Sequence, residues 1–190
     1  MRALAGMAVP RYALRAGTAM RWMIAFVVLA AFAWWAMSAS TAAPARWDAA
    51  RVAALTADLV DVDGKAAPPT TLRGAKRVMV YFSAAWCGPC RAFTPQLVDF
   101  YEAKGGGEAF EVLFVSLDAN ADDMAAYMEH DAMPWWGVRH GSASARELVR
   151  AYAKQGIPHL VLLDGSGAVL ADSYDGDRYL GPQHVLAAFK

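Results

Sequence analysis

Val78-Met79-Val80-Tyr81-Phe82-Ser83-Ala84-Ala85-Trp86-Cys87-Gly88-Pro89-Cys90 is the stretch on which the fold turns. Its first five residues form a continuous apolar run of strand length, the pattern of a strand covered by helices on both faces. Beyond Cys90, the apolar residues Phe93, Leu97, Phe100 and Tyr101 recur at helical spacing, and Gly105-Gly106-Gly107 marks the end of that helix. Those glycines carry no phosphate-loop signature, since the spacing differs and no Lys-Ser or Lys-Thr follows. Pro89 suits the first helical turn, where its missing N–H forfeits no intrahelical bond, whereas Pro95 lies deeper and is expected to kink the helix.

The two sulfurs therefore fall where a central strand gives way to a helix. Unpaired N–H groups and the helix dipole favour an anion at that place, which makes Cys87 the candidate nucleophile toward a disulfide. Cys90 is then the thiol that returns on the mixed disulfide and releases the partner. A structural disulfide is one alternative, but so short a loop gives little chain-entropy stabilisation. A metal site is the other, and His130, His140, His159 and His184 stand at no ligand spacing to one another. The reading calls for no metal and no cofactor.

Outward from this core the pattern repeats. Val112-Leu113-Phe114-Val115-Ser116-Leu117 reads as a second buried strand, followed by a helix from about Asp122 with Met124, Tyr127 and Met128 on one face. Asp122-Asp123 is read as a helix start, not as a metal site. Two successive strand-helix units predict a parallel sheet. Leu148, Val149 and Tyr152 mark a further helix. Leu160–Leu163 and Ala168–Ala171 flank the turn Asp164-Gly165-Ser166-Gly167 and predict an antiparallel hairpin, and Val185, Leu186 and Phe189 a final helix. Asp58–Gly64 reads as a short strand ending in a turn. The expected architecture is one α/β domain over residues 54–190, a mixed central sheet flanked by helices.

Composition narrows the function. The chain has 190 residues, 57% hydrophobic and 19% charged, which excludes disordered and collagen-like classes. From Pro44 onward, 14 basic and 18 acidic residues leave a net charge of −4, so nucleic acid is not an expected partner. All acidic residues lie at or after Asp48, while residues 1–21 carry four arginines. The apolar segment 22–43 reads as a transmembrane helix or a signal peptide, with residues 44–53 as a linker. By the bias of positive charge toward the cytoplasm, the domain is expected on the exported side. It would be held at the cell membrane by a single pass, extracytoplasmic or periplasmic, or be secreted after cleavage.

Trp86-Cys87-Gly88-Pro89-Cys90 after a buried strand resembles the thioredoxin superfamily. Val80 to Tyr101, Phe110 to Asp118, Met133-Pro134-Trp135-Trp136 and Gly156-Ile157-Pro158 are together similar to its tryparedoxin and nucleoredoxin branch, over about Arg77 to Phe189. The resemblance implies a thioredoxin-like fold, with Cys87 attacking, Cys90 resolving, and Trp86, Gly88 and Pro89 as supporting motif residues. It also implies a cis bond at Pro158 that exposes the backbone of Ile157 to an extended substrate. One departure is Tyr81, at the place where classical thioredoxins carry a buried Asp. His159, beside Pro158, is then a candidate proton carrier near the sulfurs, with a surface residue of no role as the alternative. Trp86, Trp135 and Trp136 offer an apolar rim, although at least one of the last two is expected in the core. The resemblance implies a thiol–disulfide oxidoreductase of the reducing kind. Combined with the N-terminal segment, the expected function is an exported, membrane-tethered reductant of cysteine-containing exported proteins, for which a membrane partner is a candidate electron donor. The alternatives are a disulfide oxidant or isomerase, a redox-inert binding module and a peroxide reductase.

Overall fold

The computed structural model describes residues 47–190. The basic segment 1–21 and the expected hydrophobic helix 22–43 lie outside the described residues. In chain order the elements are α1 (Ala49–Ala57), β1 (Leu59–Val60), β2 (Arg77–Ser83), α2 (Gly88–Ala103), β3 (Glu111–Ser116), α3 (Ala121–His130) and β4 (Trp136–Val138). There follow α4 (Ala143–Tyr152), β5 (His159–Asp164), β6 (Val169–Asp172), β7 (Tyr174–Asp175), β8 (Arg178–Tyr179) and α5 (Pro182–Ala188). Six strands form one mixed sheet in the order β1-β4-β3-β2-β5-β6, and β7 and β8 make a separate small hairpin. β2 pairs parallel with β3 and antiparallel with β5, so the apolar run Val78–Phe82 is central, as its pattern predicts.

Alternation along these strands divides the core into two layers. Met79 and Tyr81 of β2, Val112 and Phe114 of β3, and Leu160 and Leu162 of β5 face α2 and α3, meeting Phe93, Leu97, Met124 and Met128. Val78, Val80 and Phe82, with Leu113, Val115, Val161 and Leu163, face the other way, toward Leu55 of α1 and Leu148 of α4. Each fully buried side chain of this size contributes about 1.5–3 kcal/mol. Asn120 caps α3 by accepting from the Asp123 N–H at 2.8 Å, and Asp122 and Asp123 lie in its first turn, where negative charge suits the dipole. α2 continues through Pro95 as one element.

The stretch expected as a linker takes part in the fold. Trp47 is buried, its N–H donates to the Ser166 carbonyl at 2.9 Å, and its indole lies so close to Gly167 that a Cβ there would fall 2.4 Å from the ring. β4 has no counterpart in the sequence reading. It is only three residues long, and its Gly137 lies under α3, where a Cβ would meet the ends of Met124 and Met128 at 2.3 and 2.9 Å.

Among the described residues no helix is long and apolar enough to cross a membrane. The longest, α2, has 16 residues and carries Arg91, Asp99 and Glu102. At about 1.5 Å per residue it measures roughly 24 Å, short of the ~30 Å hydrocarbon core.

Glu111 opens β3 as a buried carboxylate, accepting from the Tyr101 hydroxyl at 2.8 Å and from the Val112 N–H at 2.9 Å. Burial raises its ionisation above the ordinary value of 4.5, outweighing those two hydrogen bonds. The folded state therefore holds the proton more tightly than the unfolded chain. Its contribution to stability is full below the ordinary carboxylate value and is lost as pH rises through the folded-state value. Glu111→Gln keeps an acceptor for Tyr101 and removes the charge. The variant is expected to melt higher than the parent at neutral pH, by roughly 2–4 °C for each kcal/mol relieved. Thermal melts at pH 7 and pH 4 test this: the gain should shrink at the lower pH, and a constant difference would refute it.

Candidate active site

The chain leaves β2 through a tight turn in which the Cys87 N–H donates to the Ala84 carbonyl at 3.1 Å. Cys87 is the N-cap of α2, and its Sγ accepts from the Cys90 N–H at 3.2 Å, in place of the side-chain oxygen usual there. Pro89 lies in the first turn, as its geometry predicts. Cys87 and Cys90 form a disulfide with an S–S distance of 2.04 Å. Cys87 is 6% exposed and Cys90 0%, so solvent and any partner reach the pair from the Cys87 side.

Two groups hold this turn. The Ala85 N–H donates to Asp118 Oδ1 at 2.8 Å, and Ser116 Oγ donates to Asp118 Oδ2 at 2.7 Å, tying the β2–α2 turn to the end of β3. Asp118 is buried and was missed by sequence reasoning; the only sign of it is an acid directly after an apolar strand. From the other side, the Ile157–Pro158 peptide bond is cis, and the Ile157 carbonyl oxygen lies 3.7 Å from Cys87 Sγ. Tyr179, from β8, donates its hydroxyl to the Pro158 carbonyl at 2.8 Å.

Of the three tryptophans expected at the rim, Trp86 alone stands out, at 69% exposed. Trp135 is buried among Tyr81 and Tyr101, and Trp136 packs partly buried on the opposite core layer. Beside Trp86 lies a cavity of about 480 Å³ lined by Arg91, Asp118, Asp123, Tyr127 and His130. Gly88 is open, with nothing within 4 Å of a Cβ built there.

Beneath Cys90, where a buried carboxylate is absent, four hydroxyls form a chain. Thr94 Oγ1 is 3.0 Å from the Cys90 carbonyl, 3.0 Å from Tyr81 OH and 2.8 Å from Tyr127 OH, and Tyr127 OH is 3.0 Å from Ser83 Oγ. Burial, reinforced by the neighbouring Tyr127, pushes Tyr81 ionisation far above the ordinary phenol value. The group under the resolving cysteine is thus neutral, and it offers dipoles where a carboxylate would offer charge. His159 is neither a surface residue nor a neighbour of the sulfurs with a free nitrogen. It is 0% exposed, and its two ring nitrogens are taken by the Lys154 N–H and by Asp172.

A strand-turn-helix with paired cysteines at the helix N-terminus, faced by a cis-proline, defines a thiol–disulfide exchange fold. Residues 74–169, half of the chain, match the family model described as Thioredoxin-like, and the chain belongs to that family. It is 40% identical over 114 residues to nucleoredoxin of Bos taurus, covering 59% of this chain and 26% of that protein. It is 38% identical over 97 residues to tryparedoxin of Trypanosoma brucei brucei, covering 50% of this chain and 66% of that protein. Among solved structures, a thioredoxin of Wuchereria bancrofti superposes with a TM-score of 0.59 at 34% identity, over 70% of this chain and 94% of that one. The chain spans about a quarter of the length of the nucleoredoxins it matches first.

These relatives correct one expectation. The location at the cell membrane, or in the exported or secreted space, is not upheld. The similarity is to nucleoredoxins and tryparedoxins, and no helix among the described residues is long and apolar enough to cross a membrane. The apolar segment on which that expectation stood lies outside the described residues.

Proposed function

We propose that this chain reduces disulfides of partner proteins through Cys87 and Cys90. The observation that carries the reading is the asymmetry of the pair. Cys87 caps α2 with its sulfur toward the helix N–H groups and keeps a small exposed area of 6%, whereas Cys90 is sealed behind it at 0%. In the reduced protein those N–H groups favour an anionic Cys87 sulfur over a neutral one. The thiolate attacks one sulfur of the partner disulfide; that S–S bond breaks, the departing thiolate takes a proton, and a Cys87-partner disulfide forms. The deprotonated Cys90 sulfur then attacks Cys87 Sγ, which closes the 87–90 disulfide and frees the second partner thiol. Two electrons pass to the partner, and a dithiol donor restores the pair. The hydroxyl chain around Thr94 holds the backbone of Cys90 during this closure.

The exposed face of Trp86 and the Ile157–Pro158 backbone flank Cys87 and suit an extended polypeptide segment, with apolar contact on one side and main-chain pairing on the other. The partner class is therefore a cysteine-containing protein. The test is a redox titration of the whole chain in a thiol buffer, with alkylated cysteines counted by mass spectrometry. A reductant is expected near the potential of thioredoxin, about −270 mV. A value at or above about −180 mV makes the chain an oxidant or isomerase instead. Failure to cycle replaces the enzyme with a binding module.

A further inference from the structure

We infer that His159 is a positioning residue, which sets the Ile157–Pro158 backbone at the distance from Cys87 that an extended substrate requires. The inference rests on the exchange function proposed above. His159 follows the cis bond directly and starts β5, with its ring stacked on Phe82 at 5.4 Å and edge-on to Tyr174 at 5.2 Å. Nδ1 lies 3.3 Å from the Lys154 backbone N–H, and Nε2 lies 2.8 Å from Asp172 Oδ1. A backbone N–H can only donate, so Nδ1 is the acceptor and the ring proton sits on Nε2, where it is donated to Asp172. Asp172 Oδ1 also accepts from the Tyr174 N–H at 2.9 Å.

One imidazole thus fastens the loop that leads into Ile157–Pro158 to the outer strand β6. Tyr179 fastens the same loop from β8, through the Pro158 carbonyl. The fastened segment is the one whose Ile157 oxygen lies 3.7 Å from Cys87 Sγ. Because both ring nitrogens are engaged away from the sulfurs, His159 acts on where this backbone sits and leaves the chemistry of Cys87 to the helix. A polypeptide that pairs with the backbone depends on that placement. A small disulfide that meets Cys87 alone does not.

The experiment compares the full chain with His159→Phe, which keeps the ring on Phe82 and removes both polar contacts. Initial rates of insulin reduction, with dithiothreitol as electron source, give KM and kcat. A single-turnover reaction of the pre-reduced protein with dithiobis-nitrobenzoate gives the rate on a small disulfide. The expected result is a rise of about tenfold in KM for insulin, with kcat and the small-disulfide rate changed less than about twofold. His159→Asn, whose amide oxygen can replace Nδ1 as acceptor for Lys154, should recover part of the KM. Asp172→Ala, at a more exposed position, serves if His159→Phe does not fold, and should raise KM in the same sense. Unchanged KM in the folded variants overturns the inference, as does a parallel fall on both substrates. If the parent chain reduces neither substrate, the exchange function fails and this inference fails with it.

Discussion

Cys87→Ser lowers insulin reduction by on the order of a hundredfold or more, to the rate of dithiothreitol alone, because a serine hydroxyl does not ionise to a comparable nucleophile and forms no mixed disulfide. Cys90→Ser also loses turnover, for a different reason. The first attack still proceeds at Cys87, but no thiol remains to release the partner, and a covalent adduct accumulates. Mass spectrometry of the Cys90→Ser variant after exposure to insulin should find the adduct on Cys87. The asymmetry in burial favours this order, since Cys90 is wholly enclosed while Cys87, though largely buried, keeps the only exposed area of the pair. Activity retained in Cys87→Ser, or an adduct on Cys90 in the Cys87→Ser variant, would reverse or refute the assignment.

Phe114→Ala should be among the most destabilising single changes in the domain. Phe114 is 0% exposed, stands directly opposite Tyr81 on one neighbouring strand and Gly137 on the other, and packs edge-on against Tyr127 at 5.7 Å. Truncating a buried Phe costs about 3–5 kcal/mol, from lost transfer energy and the cavity left behind. At roughly 2–4 °C per kcal/mol, the melting temperature falls by on the order of 10 °C. Collapse around the hole is hindered, because Tyr81 and Tyr127 are each tied to Thr94. Leu170→Ala, on the exposed outer strand, is the control and should stay within about 0.5 kcal/mol. Denaturant unfolding of the two variants decides the matter, and equal midpoints would contradict the account.

The parts of this structure that could be read from the chain are those whose signal is local. Val78–Phe82 announces a central strand because every position is apolar, and the cysteines announce the helix start because two of them bracket a Gly-Pro turn. The hairpin from β5 to β6 is written in its turn residues. What escaped depends on residues far apart in sequence. Trp47 reads as part of a spacer until Gly167, some 120 positions later, is seen to leave room for its ring. β4 is too short for a periodicity and exists because β3 and β1 pair with it. The hydroxyl chain draws on β2, α2 and α3, each contributing a residue that alone means nothing. His159, expected near the sulfurs, is held behind the cis bond by Asp172 from the neighbouring strand. Asp118 acts on Ala85 across 33 positions, and a strand-terminal acid gives no hint of it.

The docking of Trp47 has a practical side. The Ser166-Gly167 turn that receives it lies beyond Asp164, which pairs with Arg77 at the start of β2, whereas the cysteines follow the other end of that strand. Seven residues of β2, at about 3.3 Å each, put roughly 20 Å of sheet between the two ends. A fluorescent reporter carried on the exposed Ser166, in the turn that the buried indole braces, would therefore sit at the pole opposite the disulfide. It would follow changes in the braced end of the sheet without touching the sulfurs or the surface through which a partner reaches them.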